Sequence, residues 1–416
     1  MDQTQKLLQL IIFTFITISP YVSSAVPHHL RALVAPITKD TLTSLYTLTL
    51  NNNQSFVLDI TGNLLWSECP QNHPLISCKS HKCTMAHSFQ SPLCPPIITV
   101  NKRPCTCVAT PINTVTQTCA FGDLTYTNLT ISRTDGRTPI TPITVPNIVS
   151  SCTPKTLLRS LPALTSGMAG LARSRIALPT QLASSLSVER SFAICLPSSS
   201  TAHGVAFFGS GPFFLQPPPG LEITSILSYA PLLRNQMNYD YYIDVKAVAI
   251  NGEMVRFLAR VLMFDSLGHG GVKLSTVVPY TTLMSHIYLP FLKAFAWATR
   301  DIPRAPKVHP FDLCLNTSRL GSTRVGLPVP QIDVMLTNGK NWTFFGSNSM
   351  KQVSDDVACL AVVDGGTKAE QAAVIGSFQM EDNFLLFDLA KQRIGFSSTL
   401  LFFRTTCGNF NFQSGV

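Results

Sequence analysis

The sequence predicts a mainly β fold of two lobes with few, short helices. Short runs of Val, Ile, Thr and Phe bounded by Gly, Pro and Asn predict the strands, and helical periodicity is confined to two segments. A proline-rich stretch, residues 216–220, predicts a linker near the middle of the chain. We place the lobe boundary within residues 212–235 and expect an N-terminal lobe, 26–220, and a C-terminal lobe, 221–416.

Individual elements follow from the same patterns. A helix is expected at residues 178–186, where Pro179 occupies an early position, and another at residues 285–299, where apolar residues recur at helical spacing. Strands are expected at six apolar runs: residues 44–50, 56–58, 205–208, 241–249, 256–264 and 384–389.

The first 25 residues predict a secretory signal. Lys6 supplies a positive start, residues 7–18 are an apolar stretch, and Ser23-Ser24-Ala25 is a small-residue cleavage site. The apolar stretch is short for a membrane span. We therefore expect a chain that is secreted to the extracellular space, apoplast or cell wall, without a membrane anchor.

Net charge and composition limit the classes of partner that the chain is expected to bind. The formal net charge is +9, yet charged residues make up only 13% of the chain. Basic runs interleaved with aromatic residues are missing from the sequence, which argues against nucleic acid. Diffuse positive charge favours acidic partners such as pectin or the acidic clefts of enzymes.

Twelve cysteines in a secreted chain predict six disulfides. Spacing alone does not determine the pairing, but we expect Cys314 to pair with Cys359 and Cys195 with Cys407. Histidines at 73, 81 and 87 raise zinc as an alternative; paired CxxC spacing is missing, so neither a metal nor a cofactor is expected. The remaining cysteines are Cys69, Cys78, Cys83, Cys94, Cys105, Cys107, Cys119 and Cys152.

Glycosylation is predicted at the Asn-x-Ser/Thr motifs, which fit an extracellular glycoprotein. They begin at Asn53, Asn128, Asn316 and Asn341.

Two segments look like the halves of a site that uses a pair of carboxylates, but only one carboxylate is present. Asp59 ends the apolar run 56–58, whereas Ser275 stands at the corresponding position after residues 272–274. Two aspartates sharing a proton can activate water, and an aspartate opposite a serine cannot. No catalysis is therefore predicted, and Asp59 is expected to accept hydrogen bonds from Ser275 or from backbone donors.

Several stretches together resemble the pepsin-like family in its plant branch, from Leu33 to Phe412. Apart from the Asp59 segment, the motifs that carry this resemblance are residues 167–173, 178–182, 374–379, 387–389 and 393–396.

Within that branch the chain is most similar to the non-proteolytic group of xylanase inhibitors, inhibitors of xyloglucan-specific endoglucanases, extracellular dermal glycoprotein and basic globulins. This resemblance implies a bilobal pepsin-like fold with two psi-loop β-barrel lobes, secretion, six disulfides and no catalysis. The motifs that carry it are residues 274–283, 322–326, 329–333, 404–407 and 409–412.

The site departs from that of an active protease in more than Ser275. Ile60 and Thr61 stand where such enzymes have Thr and Gly, so the glycine of the psi loop is expected to be missing. By resemblance, Phe121 takes the place of the flap tyrosine. A rival alignment uses residues 265–268, Asp-Ser-Leu-Gly, but the extra leucine would disturb the loop.

The resemblance implies an inhibitory role for Arg324 and Arg404, which match arginine-bearing motifs of the endoglucanase inhibitors. The xylanase inhibitors rely on a histidine near the chain end, and no histidine follows His309 here. We therefore expect a monomer that binds a microbial glycoside hydrolase, an endoglucanase rather than a xylanase. The alternatives are a storage or binding glycoprotein and an active aspartic endopeptidase.

Overall fold

The computed structural model describes residues 30–88, 91–96, 105–217 and 220–413. The predicted signal, residues 1–25, lies outside the described residues. Residues 31–416 fall into one compact unit, and no helix within the described residues has the length and apolar character needed to cross a membrane.

Strands dominate the described chain, as the sequence predicts. They are β1 Ala32–Lys39, β2 Tyr46–Leu50, β3 Gln54–Asp59, β4 Leu65–Ser67, β5 Val108–Ala109, β6 Ile112–Asn113, β7 Thr118–Cys119, β8 Gly122–Thr134, β9 Pro139–Cys152, β10 Thr165–Gly170, β11 Ser191–Cys195, β12 Gly204–Gly209, β13 Phe214–Leu215, β14 Leu221–Glu222 and β15 Ser228–Leu233. The later strands are β16 Tyr242–Ile243, β17 Val245–Ile250, β18 Glu253–Met254, β19 Val272–Leu274, β20 Thr281–Leu283, β21 Arg304–Ala305, β22 Cys314–Asn316, β23 Ile332–Leu336, β24 Asn341–Phe344, β25 Met350–Ser354, β26 Val357–Leu360, β27 Val362–Asp364, β28 Ala373–Ile375, β29 Phe384–Asp388 and β30 Arg393–Phe396.

Helices are short and lie between the strands. The α-helices are α1 His81–Ala86, α2 Leu178–Leu186, α3 Ser285–Ala298, α4 Gly346–Ser349 and α5 Ser377–Met380. Single 3₁₀ turns occupy Lys155–Leu158, Ile223–Ile226, Ala259–Leu262, Leu400–Phe403 and Cys407–Asn409.

The two halves of the chain repeat one arrangement of strands. β3 runs parallel to β10, so that Asp59 lies opposite Gly170, and β19 runs parallel to β28, so that Leu274 lies opposite Ile375. Antiparallel pairing of β11 with β29 then joins the halves within one sheet. The result is a bilobal pepsin-like architecture in which each half contributes one loop to the centre.

Aromatic packing fills the core where the halves join. The Phe192 and Phe387 rings stack with their centroids 4.6 Å apart, and Tyr241 lies 4.6 Å from Phe387. All three side chains are fully buried. Such pairs stabilise by about 0.5–1.5 kcal/mol beyond the area that they bury.

Six disulfides link the cysteines, and both pairs that we expected are formed. Cys195–Cys407 ties the end of the chain to β11 across 212 residues, and Cys314–Cys359 joins β22 to β26. The others are Cys69–Cys152, Cys78–Cys105, Cys83–Cys107 and Cys94–Cys119.

The prediction of a strand at residues 256–264 is wrong. The segment contains a 3₁₀ turn, Ala259–Leu262, and its apolar side chains Leu258 and Met263 are 65% and 71% exposed. The apolar residues of this segment predict a strand. Leu262 is buried, but Leu258 and Met263 are exposed, so these side chains do not form one apolar face that packs against the core. Helix α2 has the predicted bounds, and the lobe boundary at 212–235 remains a prediction.

A buried ion pair connects the first strand to the second half. Lys39 Nζ lies 2.7 Å from Glu381 Oε1 and donates a hydrogen bond to it. Tyr46 Oη donates to the same oxygen at 2.5 Å. Burial raises the pKa of Glu381, and Lys39 and Tyr46 act in the opposite direction.

We predict that Lys39→Met lowers the free energy of unfolding by about 3–5 kcal/mol at pH 7, because it leaves the Glu381 charge buried without its partner. Loss of Lys39 also raises the folded-state pKa of Glu381 further, so the folded state binds a proton more tightly than the unfolded state. The deficit should therefore shrink as the pH falls. Urea unfolding under oxidising conditions measures both effects.

Lys155→Met is the control, because Lys155 is 79% exposed in its ion pair with Glu68. It should cost about 1 kcal/mol or less. Equal losses for the two variants would contradict the role given to the buried pair.

Candidate functional site

Asp59 lies at the end of β3, and its side chain is only 1% exposed. Its Oδ1 accepts hydrogen bonds from the backbone N–H and the hydroxyl of Thr61, at 2.8 and 2.7 Å. Its Oδ2 accepts from the Thr114 hydroxyl at 2.7 Å. Burial raises the pKa of Asp59, and these hydrogen bonds oppose the rise because they stabilise the carboxylate.

The glycine of this loop is shifted along the chain rather than lost, which corrects the expectation from Ile60 and Thr61. A Cβ at Gly62 would lie 2.9 Å from Gly170 Cα and 3.0 Å from Asp59 Oδ2. Only glycine fits so close to both without a local shift. Gly62 therefore lets the loop close against β10.

Ser275 is buried directly after β19, at the position predicted to face Asp59. Its hydroxyl oxygen accepts hydrogen bonds from the N–H groups of Val277 and Val278, both at 3.3 Å. Among the residues that the structure describes, the donors to the Asp59 carboxylate are Thr61 and Thr114. Of the two expected kinds of donor, the backbone N–H is present, at Thr61, and the Ser275 hydroxyl is not. Ser275 stabilises its own loop instead.

Thr276 makes the contact between the two loops. Its hydroxyl donates to the carbonyl of Leu58 at 2.6 Å and accepts from the N–H of Ile60 at 3.2 Å. Thr276 has no measurable exposure. Ile60 occupies the position in the first loop that Thr276 occupies in the second. Because Ile60 has no hydroxyl, it cannot make the equivalent hydrogen bonds to the second loop, and only Thr276 links the two loops in this way.

This geometry limits the chemistry of the cleft. Two carboxylates are needed to share a proton, and the second loop supplies a serine in place of the second aspartate. The hydroxyl oxygen of this serine already accepts a hydrogen bond from the N–H of Val277. The rival candidate Asp265 lies on an exposed loop, where Oδ1 accepts from the N–H groups of Leu267 and His269. Asp265 therefore belongs to a surface turn and not to either central loop.

The segment that covers Asp59 is not the one predicted. The hairpin of β6 and β7 places Thr114 on Asp59, and Trp66 Nε1 donates to the Ile112 carbonyl at its base. Phe121 is 51% exposed and lines a groove beside the Cys69–Cys152 disulfide. Phe121 does not border the cavity beside Asp59, so it does not take the position expected of a flap residue.

A cavity of about 60 Å³ lies beside Asp59, bordered by Thr61, Thr114, Trp66 and Tyr239. It has room for a few water molecules.

Arg324 lies at the tip of a tight turn on the surface. The N–H of Thr323 donates to the Gly326 carbonyl at 2.9 Å, and the N–H of Gly326 donates back at 3.2 Å. Arg324 and Val325 are thus the two central residues of the turn. Gly326 closes it with φ of +93°, a conformation that glycine adopts without strain.

Arg404 is also exposed and also lies on a defined turn. It follows the 3₁₀ turn Leu400–Phe403 with φ of +56°, and its N–H donates to the Leu401 carbonyl at 3.1 Å. Directly after it, the hydroxyl of Thr405 donates to the Gln216 carbonyl. The Cys195–Cys407 disulfide fixes the chain three residues further on.

The two arginine turns pack against one short segment, residues 345–347. The N–H of Ser347 donates to the Val325 carbonyl at 2.8 Å. The Phe345 ring meets the Phe402 ring edge to face, with centroids 4.9 Å apart. The turns that carry Arg324 and Arg404, which are 80 residues apart in the chain, are therefore supported by one segment.

The cysteine-rich segment brings Cys83, His87 and Cys107 together, with ligand atoms within 4.8 Å of one another. The two sulfurs are bonded to each other, so they are not thiolates that could bind a metal. His87 Nε2 lies 2.7 Å from the Val108 carbonyl oxygen. This cluster therefore fits a disulfide staple better than a zinc site.

Three of the four glycosylation motifs present an exposed asparagine: Asn53, Asn128 and Asn341. Asn316 is half-buried, and its Oδ1 accepts from the hydroxyl of Ser318 in its own motif at 2.6 Å.

We predict that Asp59→Asn is at least as stable as the wild type at pH 7. Because burial raises the pKa of Asp59, its stabilising contribution is complete below the unfolded-state pKa and is lost as the pH rises through the folded-state pKa. The amide stays neutral and keeps an oxygen acceptor for Thr61. Urea unfolding at several pH values should show that the difference in the free energy of unfolding between the variant and the wild type vanishes at acid pH. A variant that is less stable than the wild type by the same amount at every pH would contradict this account.

We predict that Thr276→Val lowers the free energy of unfolding by about 1–3 kcal/mol, because it removes the hydroxyl that pairs with two buried backbone groups. Thr276→Ser is the matched control, since it keeps the hydroxyl and should lose less. Urea unfolding measures both, and a larger loss for the serine variant would rule out the hydrogen bonds as the cause.

Comparisons with known proteins agree with this geometry. A family model described as xylanase inhibitor N-terminal matches residues 42–210, and one described as xylanase inhibitor C-terminal matches residues 240–398. A rice protein (Oryza sativa subsp. japonica) named chitinase CLP is 44% identical over 396 residues, which cover 92% of each chain.

Two solved structures share the fold over nearly the whole chain. The crystal structure of edgp has 38% identity and a TM-score of 0.86, with 93% of this chain and 99% of the other covered. That of basic 7S globulin from soybean has 30% identity and a TM-score of 0.76, with 92% and 100% covered. Both halves of the family model, matched in order along the described fold, show that this chain belongs to the xylanase inhibitor family of pepsin-like proteins.

Proposed function

We propose that this protein is a secreted, proteolytically inactive glycoprotein that inhibits microbial glycoside hydrolases of the kind that degrade cell walls. A xyloglucan-specific endoglucanase is favoured over a xylanase, because no histidine follows His309. The observation that carries the proposal is the pair of exposed turns, bearing Arg324 and Arg404, that pack against the same segment. Family membership supports binding to a hydrolase in general.

Arginine suits this target because glycosidase clefts contain two carboxylates that flank the scissile bond. A guanidinium pairs with a carboxylate through two parallel hydrogen bonds and keeps its charge at any working pH. Two arginines on one surface could engage one carboxylate each. The net charge of +9 assists the approach to an acidic cleft.

The turns are held before any partner binds. Two backbone hydrogen bonds close the Arg324 turn, and the Cys195–Cys407 disulfide follows the Arg404 turn. Little backbone entropy would then be lost on docking. Phe402 and Phe403, which are 48% and 47% exposed, supply apolar surface beside Arg404 for the rim or core of an interface.

Inactivity as a protease follows from the central loops. Asp59 is the only carboxylate that either loop contributes at the position of the pair, and Ser275 replaces its partner. Export to the extracellular space and cell wall is supported by the leader sequence, six disulfides and three exposed glycosylation motifs. We propose that the secreted chain acts as a monomer.

Two other functions are favoured by specific relatives. Similarity to basic 7S globulin supports a storage or binding glycoprotein. The 44% identity to a protein named chitinase CLP supports hydrolysis of chitin. Assays of hydrolase inhibition and of sugar release from chitin distinguish these two functions from inhibition.

We predict that Arg404→Ala weakens inhibition of a susceptible endoglucanase at least about 30-fold, because a desolvated carboxylate of the enzyme loses its partner. Arg324→Ala should have a similar or smaller effect. Inhibition constants for purified fungal endoglucanases and xylanases measure this. Arg175→Ala, which removes an exposed arginine from the first half, is the control and should leave inhibition unchanged.

Failure of the folded mature chain to inhibit any member of the panel would contradict inhibition. Release of sugars from chitin by the chain alone would favour the chitinase alternative. Acid cleavage of denatured haemoglobin that is abolished by Asp59→Asn would contradict proteolytic inactivity.

A further inference from the structure

Helix α3 carries an exposed stripe of aromatic, apolar and basic side chains. Its inward side is packed: Ile287, Phe291 and Phe295 are buried. The exposed residues recur at spacings of three and four along the other side, and the last of them lies two residues past the helix end. This stripe consists of His286, Leu289, Lys293, Trp297 and Arg300.

Trp297 is the unusual member of the stripe. It is 71% exposed, whereas Trp66 and Trp342, the other tryptophans of the chain, are 3% and 1% exposed. Leu289, two turns earlier, is 60% exposed. Packing explains the inward side of this helix, but it does not explain a large aromatic ring turned to solvent.

Two cations flank the indole along the helix axis. Lys293 lies one turn before Trp297, about 6 Å along the axis at 1.5 Å per residue. Arg300 lies just under one turn after it, with Cζ 4.7 Å from the centroid of the indole ring. An Arg300 Nη1 hydrogen bond to the Trp297 carbonyl, at 3.2 Å, holds the guanidinium there.

The charge at the stripe is positive and weakly compensated. Asp301 Oδ2 lies 4.0 Å from Arg300 Nε, and this carboxylate is 89% exposed. Such a pair contributes little and leaves the guanidinium open to another anion. Arg304 is engaged with the helix end, because its Nη2 donates to the Ala296 carbonyl at 2.6 Å.

We propose that this stripe binds an acidic polysaccharide built from uronate units. The Arg300 guanidinium lies over one face of the Trp297 indole. The apolar face of one sugar ring stacks on the other face, and carboxylates of the polymer pair with Lys293 and Arg300. The stripe presents a cation, an aromatic ring and a second cation in sequence. A polyuronate is complementary to this order, because it carries sugar rings with apolar faces and regularly spaced carboxylates. The arginine turns of the proposed inhibitory surface have no part in this binding.

The exposed tryptophan is also a direct probe. Iodide in solution quenches the fluorescence of an exposed indole, and Trp297 is the exposed one of three. Polygalacturonate should protect Trp297 of the mature chain from iodide quenching at matched ionic strength. Fully methyl-esterified galacturonan, which lacks the charges, should protect it far less, and added salt should weaken the protection by polygalacturonate.

Variants separate the roles of the ring and the cations. In affinity gels containing polygalacturonate, Trp297→Ala should weaken retardation about tenfold or more, and the double variant Lys293→Ala with Arg300→Ala should do so at least as strongly. Arg175→Ala, an exposed arginine of the first half, is the matched control for loss of charge and should bind as the wild type does. Arg404→Ala should also bind normally.

Retardation of Trp297→Ala equal to that of the wild type would overturn the proposal, as would equal protection by the esterified polymer. Protection by an acidic protein but not by polygalacturonate would assign the stripe to a protein partner instead. Inhibition of hydrolases by Trp297→Ala is expected to be unchanged, so failure here and failure of the inhibitory proposal can be told apart.

Discussion

The buried hydroxyl of Thr276 is the contact on which the centre of the molecule depends. It bonds the Leu58 carbonyl and the Ile60 N–H, and so joins the loop after β19 to the loop after β3. Each loop is in turn held by a parallel pair of strands. Buried backbone groups need partners, so the two loops can approach this closely only because the hydroxyl satisfies both.

That constraint is independent of catalysis. Asp59 remains buried and hydrogen-bonded by Thr61 and Thr114, although Ser275 supplies no second carboxylate. Burial raises the pKa of this carboxylate. The contact between the two loops does not need a second aspartate, because the Thr276 hydroxyl and not a carboxylate makes it.

The framework also fixes the surfaces to which we assign binding. Phe345 and Ser347 support the two arginine turns, and the Cys195–Cys407 disulfide holds the end of the chain on β11. Helix α3 presents Trp297 outward because its inward side is filled by Phe291 and Phe295. These contacts hold the turns before any partner binds, which lowers the entropy lost on binding.

Local pattern and residue chemistry are enough to predict the mainly β class and some of its elements. Five of the six predicted apolar runs coincide with strands, and Pro179 and its neighbours predict helix α2 with its observed bounds. The residue chemistry also shows a serine, Ser275, where a second carboxylate would be needed. Features that depend on residues far apart in the chain became visible only in the folded structure. The donor Thr114 reaches Asp59 across 55 residues, and Gly62 is needed because Gly170 lies against it. The turns of Arg324 and Arg404 share a supporting segment, and Trp297 faces solvent, only because of how the whole chain packs. Periodicity along one segment carries no information about such neighbours.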